Sequence, residues 1–395
     1  MRTANLAGAL LQGSGLTIVG LDAEELLETA RRRTGLEDFG NEDFRAPLET
    51  LLDSCEREAG LTLVGRLAAR SYILQLLAAR LRMHRDRHRE PRIPEQAISR
   101  PIFITGLPRS GTTLLHGLFA SDAANRVPLT WEVMFPSPPP RGSAGDPRIE
   151  KTDRLLGWIE QLAPEFKRIH PVGAMLPQEC IAITAHDFAS IEFNTLWRVP
   201  AYQSRLEHDE PRGAYRFHRR FLQNLQHGRA GERWVLKAPA HLFHLEALFA
   251  VYPDARVIQT HRDPLAVAAS IASYGTVLRA AFSDAVDAHE VGTWMCEFWA
   301  RGADRALDYR RAHGEREVLD VHFAELCGDP VATVRRLYGQ LGMKLEPAAE
   351  NAMRGYLAEY PMNRHGRHRY SLEQFGLEPN AVNERFAGYR EAFDL

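Results

Sequence analysis

The stretch "FITGLPRSGTTLLHGLF", residues 103–119, decides the fold. An apolar strand-like run enters a loop whose Gly106, Gly111 and Thr113 match the two glycines and the hydroxyl of a GxxxxGK(S/T) phosphate loop. Helical spacing resumes in "TTLLHGLFA". In that order of elements the backbone N–H groups around 109–113 converge on an anion at a helix N-terminus. A tight strand-to-helix turn holding no ligand satisfies the bare glycine spacing equally well. The lysine position carries Thr112. A kinase or ATPase loop uses that lysine, with Mg²⁺, against the β- and γ-phosphates. Arg109, Ser110, Gly111, Thr112 and Thr113 instead suit a less highly charged group, such as a sulfonate carried on a phosphate.

Working outward, a second unit follows downstream: "RWVLKA" as strand, "HLFHLEALFAVY" as helix, "ARVIQTH" as strand and "PLAVAASIASY" as helix, with "REVLDV" as a further strand. Strands alternating with helices predict an α/β fold, a P-loop-like parallel sheet flanked by helices with its functional edge at the strands' C-terminal ends. Residues 135–232, Pro-rich and then mainly helical, read as an insertion carrying substrate-specific architecture. Upstream, residues 22–90 show helical periodicity, with Asp22 as an N-cap, and Pro91 and Pro94 end it. The predicted division is 1–100, an N-terminal helical region and linker, and 101–395, the α/β domain. The basic run 84–90 reads as a solvated helix end.

A net charge of −2 gives no electrostatic case for nucleic acid or an anionic membrane. Four cysteines without CxxC spacing read as reduced thiols of a cytoplasmic protein. Gln12, Gly13 and Ser14 interrupt the N-terminal apolar run, so neither a secretory signal nor a membrane span is expected. Only four lysines occur, which makes Lys237, at a strand end after "WVL", informative.

"GLPRSGTTLL" resembles the 5′-phosphosulfate loop of sulfotransferases that use 3′-phosphoadenosine 5′-phosphosulfate (PAPS), in the form seen in tyrosylprotein sulfotransferases and a large bacterial group. "VLKAPAHL" (235–242) and "THRDPLAVAASI" (260–271) extend the likeness. The resemblance implies that Arg262 and Ser270, eight residues apart, hold the donor's 3′-phosphate. It places Lys237 at the bridging oxygen and the leaving phosphate, with Arg109 sharing the charge stabilisation. The basic loop "NRHGRHRYSLEQFGL" (363–377) resembles the family's closing segment, and Arg367 and Arg369 then add phosphate contacts. Read from residues alone, Asp263-Pro264 is a capped helix start that also aims Arg262.

Sulfuryl transfer is an in-line displacement through a loose transition state, so the protein must supply charge stabilisation and a base. Glu132, Glu179 and His116 are the candidate bases, in that order; their alternatives are a helix N-terminal carboxylate, an ion-pair partner and a core histidine. No metal is expected: His241/His244 and His365/His368 lack a zinc signature. The acceptor is an alcohol on a small molecule, a lipid or a phenol, with 170–200 as a hint only. The N-terminal helices cap its pocket or form a homodimer. An atypical ATP-dependent kinase and a non-catalytic nucleotide-binding protein are the alternatives on this scaffold.

Overall fold

The computed structural model describes residues 19–142, 145–162, 173–228, 233–314, 318–360 and 371–395. Strand β1 (Ile102–Gly106) is buried along its whole length, as an uninterrupted apolar run in a sheet covered on both faces must be. With β2 (Asn125–Arg126), β3 (Arg233–Lys237), β4 (Arg256–His261) and β5 (Val318–His322) it forms a parallel sheet in the order β2-β3-β1-β4-β5. From β1 the chain runs to β2 and β3 on one side and then crosses over to β4 and β5 on the other, so the strand order reverses at β1. The crevice beyond the C-terminal ends of β1, β3 and β4 is where such sheets bind ligands. Register brings the ends level, with Ile104 beside Lys237 and Gly106 beside Thr260.

Side chains alternate across the sheet. Phe103, Leu236 and Val257 share one core with Leu222, Leu248, Val267 and Trp299. Ile102, Ile104 and Ile258 face the opposite core with Leu115, Leu118, Val334 and Leu337. A third core joins α1 (Ala23–Thr34), α2 (Arg45–Arg57) and α3 (Leu63–Arg89) to Phe188, Phe193, Trp197 and Tyr202 from the insertion. The N-terminal helices therefore pack on the insertion, and the two regions share one interior. Arg80 of α3 and Asp187 pair at 2.6 Å across that junction, both buried. Burial pushes the Asp187 carboxyl up to about 6 against the opposing pull of Arg80.

The expected helix and strand ends mostly coincide with those observed. Asp22 caps α1 through the Glu25 N–H at 2.9 Å, and α3 ends at Arg89, before Pro91. The segment expected as one helix over "HLFHLEALFAVY" is two: a 3₁₀ turn at Pro239–Phe243 and then a helix at Leu245–Val251. His244 breaks it by leaving helical geometry, at φ −143°. Strand β2 has two residues, too few to show a period.

Candidate active site

Helix α4 (Thr112–Ala120) rises directly from the glycine loop. Gly106 has φ 141°, and a Cβ there would lie 2.4 Å from the Thr260 carbonyl oxygen. Gly111 has φ 98°, with a side chain blocked by Leu326 at 2.9 Å. A larger residue at Gly106 needs a backbone shift, and at Gly111 the positive φ strains any L side chain. Ser110 closes the turn: its hydroxyl donates to the Leu107 carbonyl at 2.5 Å and pairs with Thr260 Oγ1 at 2.6 Å. That hydroxyl shapes the loop, while Arg109 and Thr113 stand exposed at the mouth and Thr112 is buried in the first turn of α4.

Lys237 ends β3 with a side chain only 2% exposed. Its Nζ lies 3.4 Å from Thr113 Oγ1 and forms an ion pair with Glu179, the residue before helix Cys180–Thr184. Arg262 follows β4 and donates from Nη1 to the Arg109 carbonyl at 2.9 Å, with its guanidinium 3.9 Å from the Phe323 ring centre. Burial lowers the Arg262 pKa, and the neighbouring Arg109 adds to the fall. An anion in the crevice relieves that crowding of like charges. Asp263 caps the next helix, Pro264–Ala280, through the Leu265 N–H at 3.1 Å. Ser270 lies half-buried two turns along it. The Arg367 and Arg369 assignments fall outside the described residues.

Two of the three candidate bases lie apart from this junction. Glu132, with no side-chain exposure, accepts from the Leu129 N–H at 3.1 Å and from Arg126 Nη2 at 3.3 Å, so it caps helix Thr130–Met134 and neutralises a buried arginine. His116 points into the core and meets the Val235 carbonyl at 3.2 Å through Nε2. Burial, with Lys237 nearby, depresses its pKa to about 3, so the ring is neutral at ordinary pH. Glu179 alone of the three touches Lys237.

Sequence reasoning missed a second carboxyl here. Glu192, between Ile191 and Phe193 in an otherwise apolar stretch, accepts from the Tyr72 hydroxyl of α3, while its Oε2 has no hydrogen-bond partner among the described residues. Burial pushes its pKa up to about 7, opposed by the Tyr72 bond and aided by Glu179. Tyr274 is raised by burial and by the same two carboxyls. A charged residue inside an apolar run was the available signal. A proton held more tightly in the folded state makes stability fall as pH rises from about 4.5 to about 7. Glu192→Gln should therefore be near neutral at acidic pH and stabilising above pH about 7, by about 3 kcal/mol; thermal melts at both ends of that range check it.

A cavity of about 260 Å³ begins beside this junction, walled by Cys180 and Ala238, the residues that follow Glu179 and Lys237. Ile181, Ala240 and Leu206 line it, and Asp209 stands among the charged lining residues. His241 and Tyr215 also face it, joined by a 2.7 Å hydrogen bond between Nδ1 and the phenol.

Residues 101–347, well over half of the chain, match the model of the Sulfotransferase family. The chain belongs to that family. The sulfotransferase is similar along most of its length to solved relatives: STF1 from Mycobacterium tuberculosis H37Rv, 33% identical with TM-score 0.83, covering 94% of this chain and 99% of that one. STF9 from Mycobacterium avium is 28% identical with TM-score 0.86, covering 95% and 97%. The omega-hydroxy-beta-dihydromenaquinone-9 sulfotransferase Stf3 of Mycobacterium tuberculosis is 27% identical over 308 residues, 72% of this chain and 73% of that protein. The kinase alternative finds no support among these relatives. Among the described residues no helix is long and apolar enough to cross a membrane.

Proposed function

We propose that this sulfotransferase moves a sulfuryl group from PAPS to a hydroxyl of a lipid-like acceptor, with Glu179 as the base. The observation that carries the reading is the chain of contacts Thr113–Lys237–Glu179, which runs from the anion loop to the residues that directly precede cavity-lining Cys180 and Ala238.

The residues present fit the donor. Gly106 and Gly111, both at positive φ, let the loop turn tightly from β1 into α4, and Arg109 and Arg262 crowd one crevice edge with positive charge. Loop N–H groups, Arg109 and Thr113 would hold the 5′ end, and Arg262 with Ser270 the 3′-phosphate. When bound, PAPS supplies the activated sulfuryl group. The chain's own work is then threefold. Glu179 Oε1 takes the acceptor's hydroxyl proton; Lys237 Nζ and the loop N–H groups hold the charge that develops on the oxygens; the cavity orients the acceptor and keeps water away. The apolar lining beside charged side chains suits an alcohol borne on an apolar body. The name of Stf3, a sulfotransferase of an omega-hydroxylated menaquinone, favours a terminal hydroxyl on a long chain.

Adenosine 3′,5′-bisphosphate should raise the melting temperature where ATP with Mg²⁺ does not. Arg262→Ala should weaken bisphosphate binding by about 10–100-fold, the loss expected for one charge-assisted phosphate contact, read by calorimetry. Transfer of ³⁵S from labelled PAPS to hydroxylated isoprenoids then tests the acceptor class. An equal response to ATP, or an Arg262→Ala protein that binds as tightly as the parent, overturns the donor assignment.

A further inference from the structure

The C-terminal turns of α3 carry a cluster that sulfuryl transfer does not use. His84 and His88, four residues apart on one face of the helix, meet Asp38 from the 35–41 loop. Asp38 Oδ2 lies 3.1 Å from His84 Nε2, which lies 2.9 Å from His88 Nε2, and the three ligand atoms all fall within 4.8 Å of one another. We propose that Asp38, His84 and His88 form a binding site for a zinc-type divalent cation that fastens the 35–41 loop to α3.

The geometry suits such an ion. Ligands about 2.0–2.1 Å from a tetrahedral zinc stand about 3.4 Å apart, so the Asp38–His84 and His84–His88 pairs need to open by only a few tenths of an ångström, and the Asp38–His88 pair already lies within 4.8 Å. Two imidazole Nε2 atoms at 2.9 Å leave room for one proton between them, and a cation takes that proton's place. Two imidazoles and a carboxylate, completed by water, favour zinc over magnesium, which prefers an all-oxygen shell.

The surroundings hold the donors in place before any ion arrives. Asp38 Oδ1 accepts the Gly40 N–H at 2.8 Å, which turns Oδ2 toward His84. Gly40 has φ 85°, and a Cβ there would meet His84 Nδ1 at 2.9 Å, so the loop closes on the ring only because residue 40 is glycine. Between them, Phe39 is buried in the N-terminal core, and its carbonyl accepts from Arg80 Nε at 3.0 Å. Support of this kind around the ligands is what separates a site from a chance meeting of side chains. Arg80 also pairs with Asp187, a residue lining the cavity, so the ion would stiffen one wall of the pocket without touching the reacting atoms.

The test uses the full chain, free of affinity tags and stripped with chelator. Titration with zinc chloride at pH about 7.5 should show one equivalent bound. Melting should rise by about 3 °C at a hundredfold excess of free zinc over Kd, with no rise from magnesium. His88→Ala should weaken binding at least about tenfold, and His88→Cys, which restores a ligand, should recover it. Asp38→Asn gives an independent reading should His88→Ala fold poorly. An absence of binding at about 100 µM free zinc, far above the Kd of a working zinc site, overturns the proposal. So does zinc affinity unchanged in both His88→Ala and Asp38→Asn, which puts the ion elsewhere.

Discussion

Glu179→Gln should lower kcat for sulfuryl transfer by about 10²–10⁴-fold, the usual range for a general base, with affinity for adenosine 3′,5′-bisphosphate changed by less than about twofold. Glutamine keeps the shape, and its carbonyl still accepts from Lys237 Nζ, where the parent has an ion pair. What it cannot do is take a proton. Because the side chain is 15% exposed, the protein should fold, at a stability cost of about 1–3 kcal/mol for the weakened charge-assisted bond. Glu132 should behave in the opposite way. It is wholly buried and paired with Arg126, so Glu132→Ala should appear in the melt, at about 3–5 kcal/mol for a buried cation stripped of its partner. Steady-state kinetics on folded protein separate the two residues. A Glu179→Gln enzyme with parental kcat would remove Glu179 as the base.

The loop was legible because its chemistry is local. Four residues between two glycines fix a strand, a turn and a helix, and Thr112 excludes a lysine-dependent loop within one short word. Lys237, Arg262 and Asp263 could be read because each follows directly from a strand end, where a parallel sheet gathers its functional groups. Glu179 was harder to rank. Its contact with Lys237 spans 58 residues of sequence separation and depends on how the insertion folds back over β3. Glu132 ranked above it, and sequence does not reveal that a carboxylate turns inward to cap its own helix. Glu192, Tyr72 and Tyr274 come from an insertion helix, α3 and the helix after β4, a meeting that periodicity in any one segment cannot announce. The shared core of the N-terminal helices and the insertion was hidden for the same reason: two amphipathic regions do not say in sequence which partner each covers.

Lys237→Ala should lower kcat by about 10²–10³-fold, the loss commonly seen when one preorganised group that stabilises developing charge is removed. The side chain is 2% exposed and ends between Thr113 of the loop and Glu179, so the ammonium is fixed without further ordering. Removing it has a second consequence, because Glu179 loses the cation it pairs with and its orientation toward the acceptor. The two effects act on one unit, so the double variant Lys237→Ala/Glu179→Gln should lose little more activity than the worse single variant. Lys237→Arg should not restore the rate, because a planar fork replaces a compact ammonium in a slot with almost no free space. Single-turnover rates for the four proteins give the coupling directly. Losses that multiply would mean that Lys237 and Glu179 act on the acceptor independently and that their contact in the folded protein is structural alone.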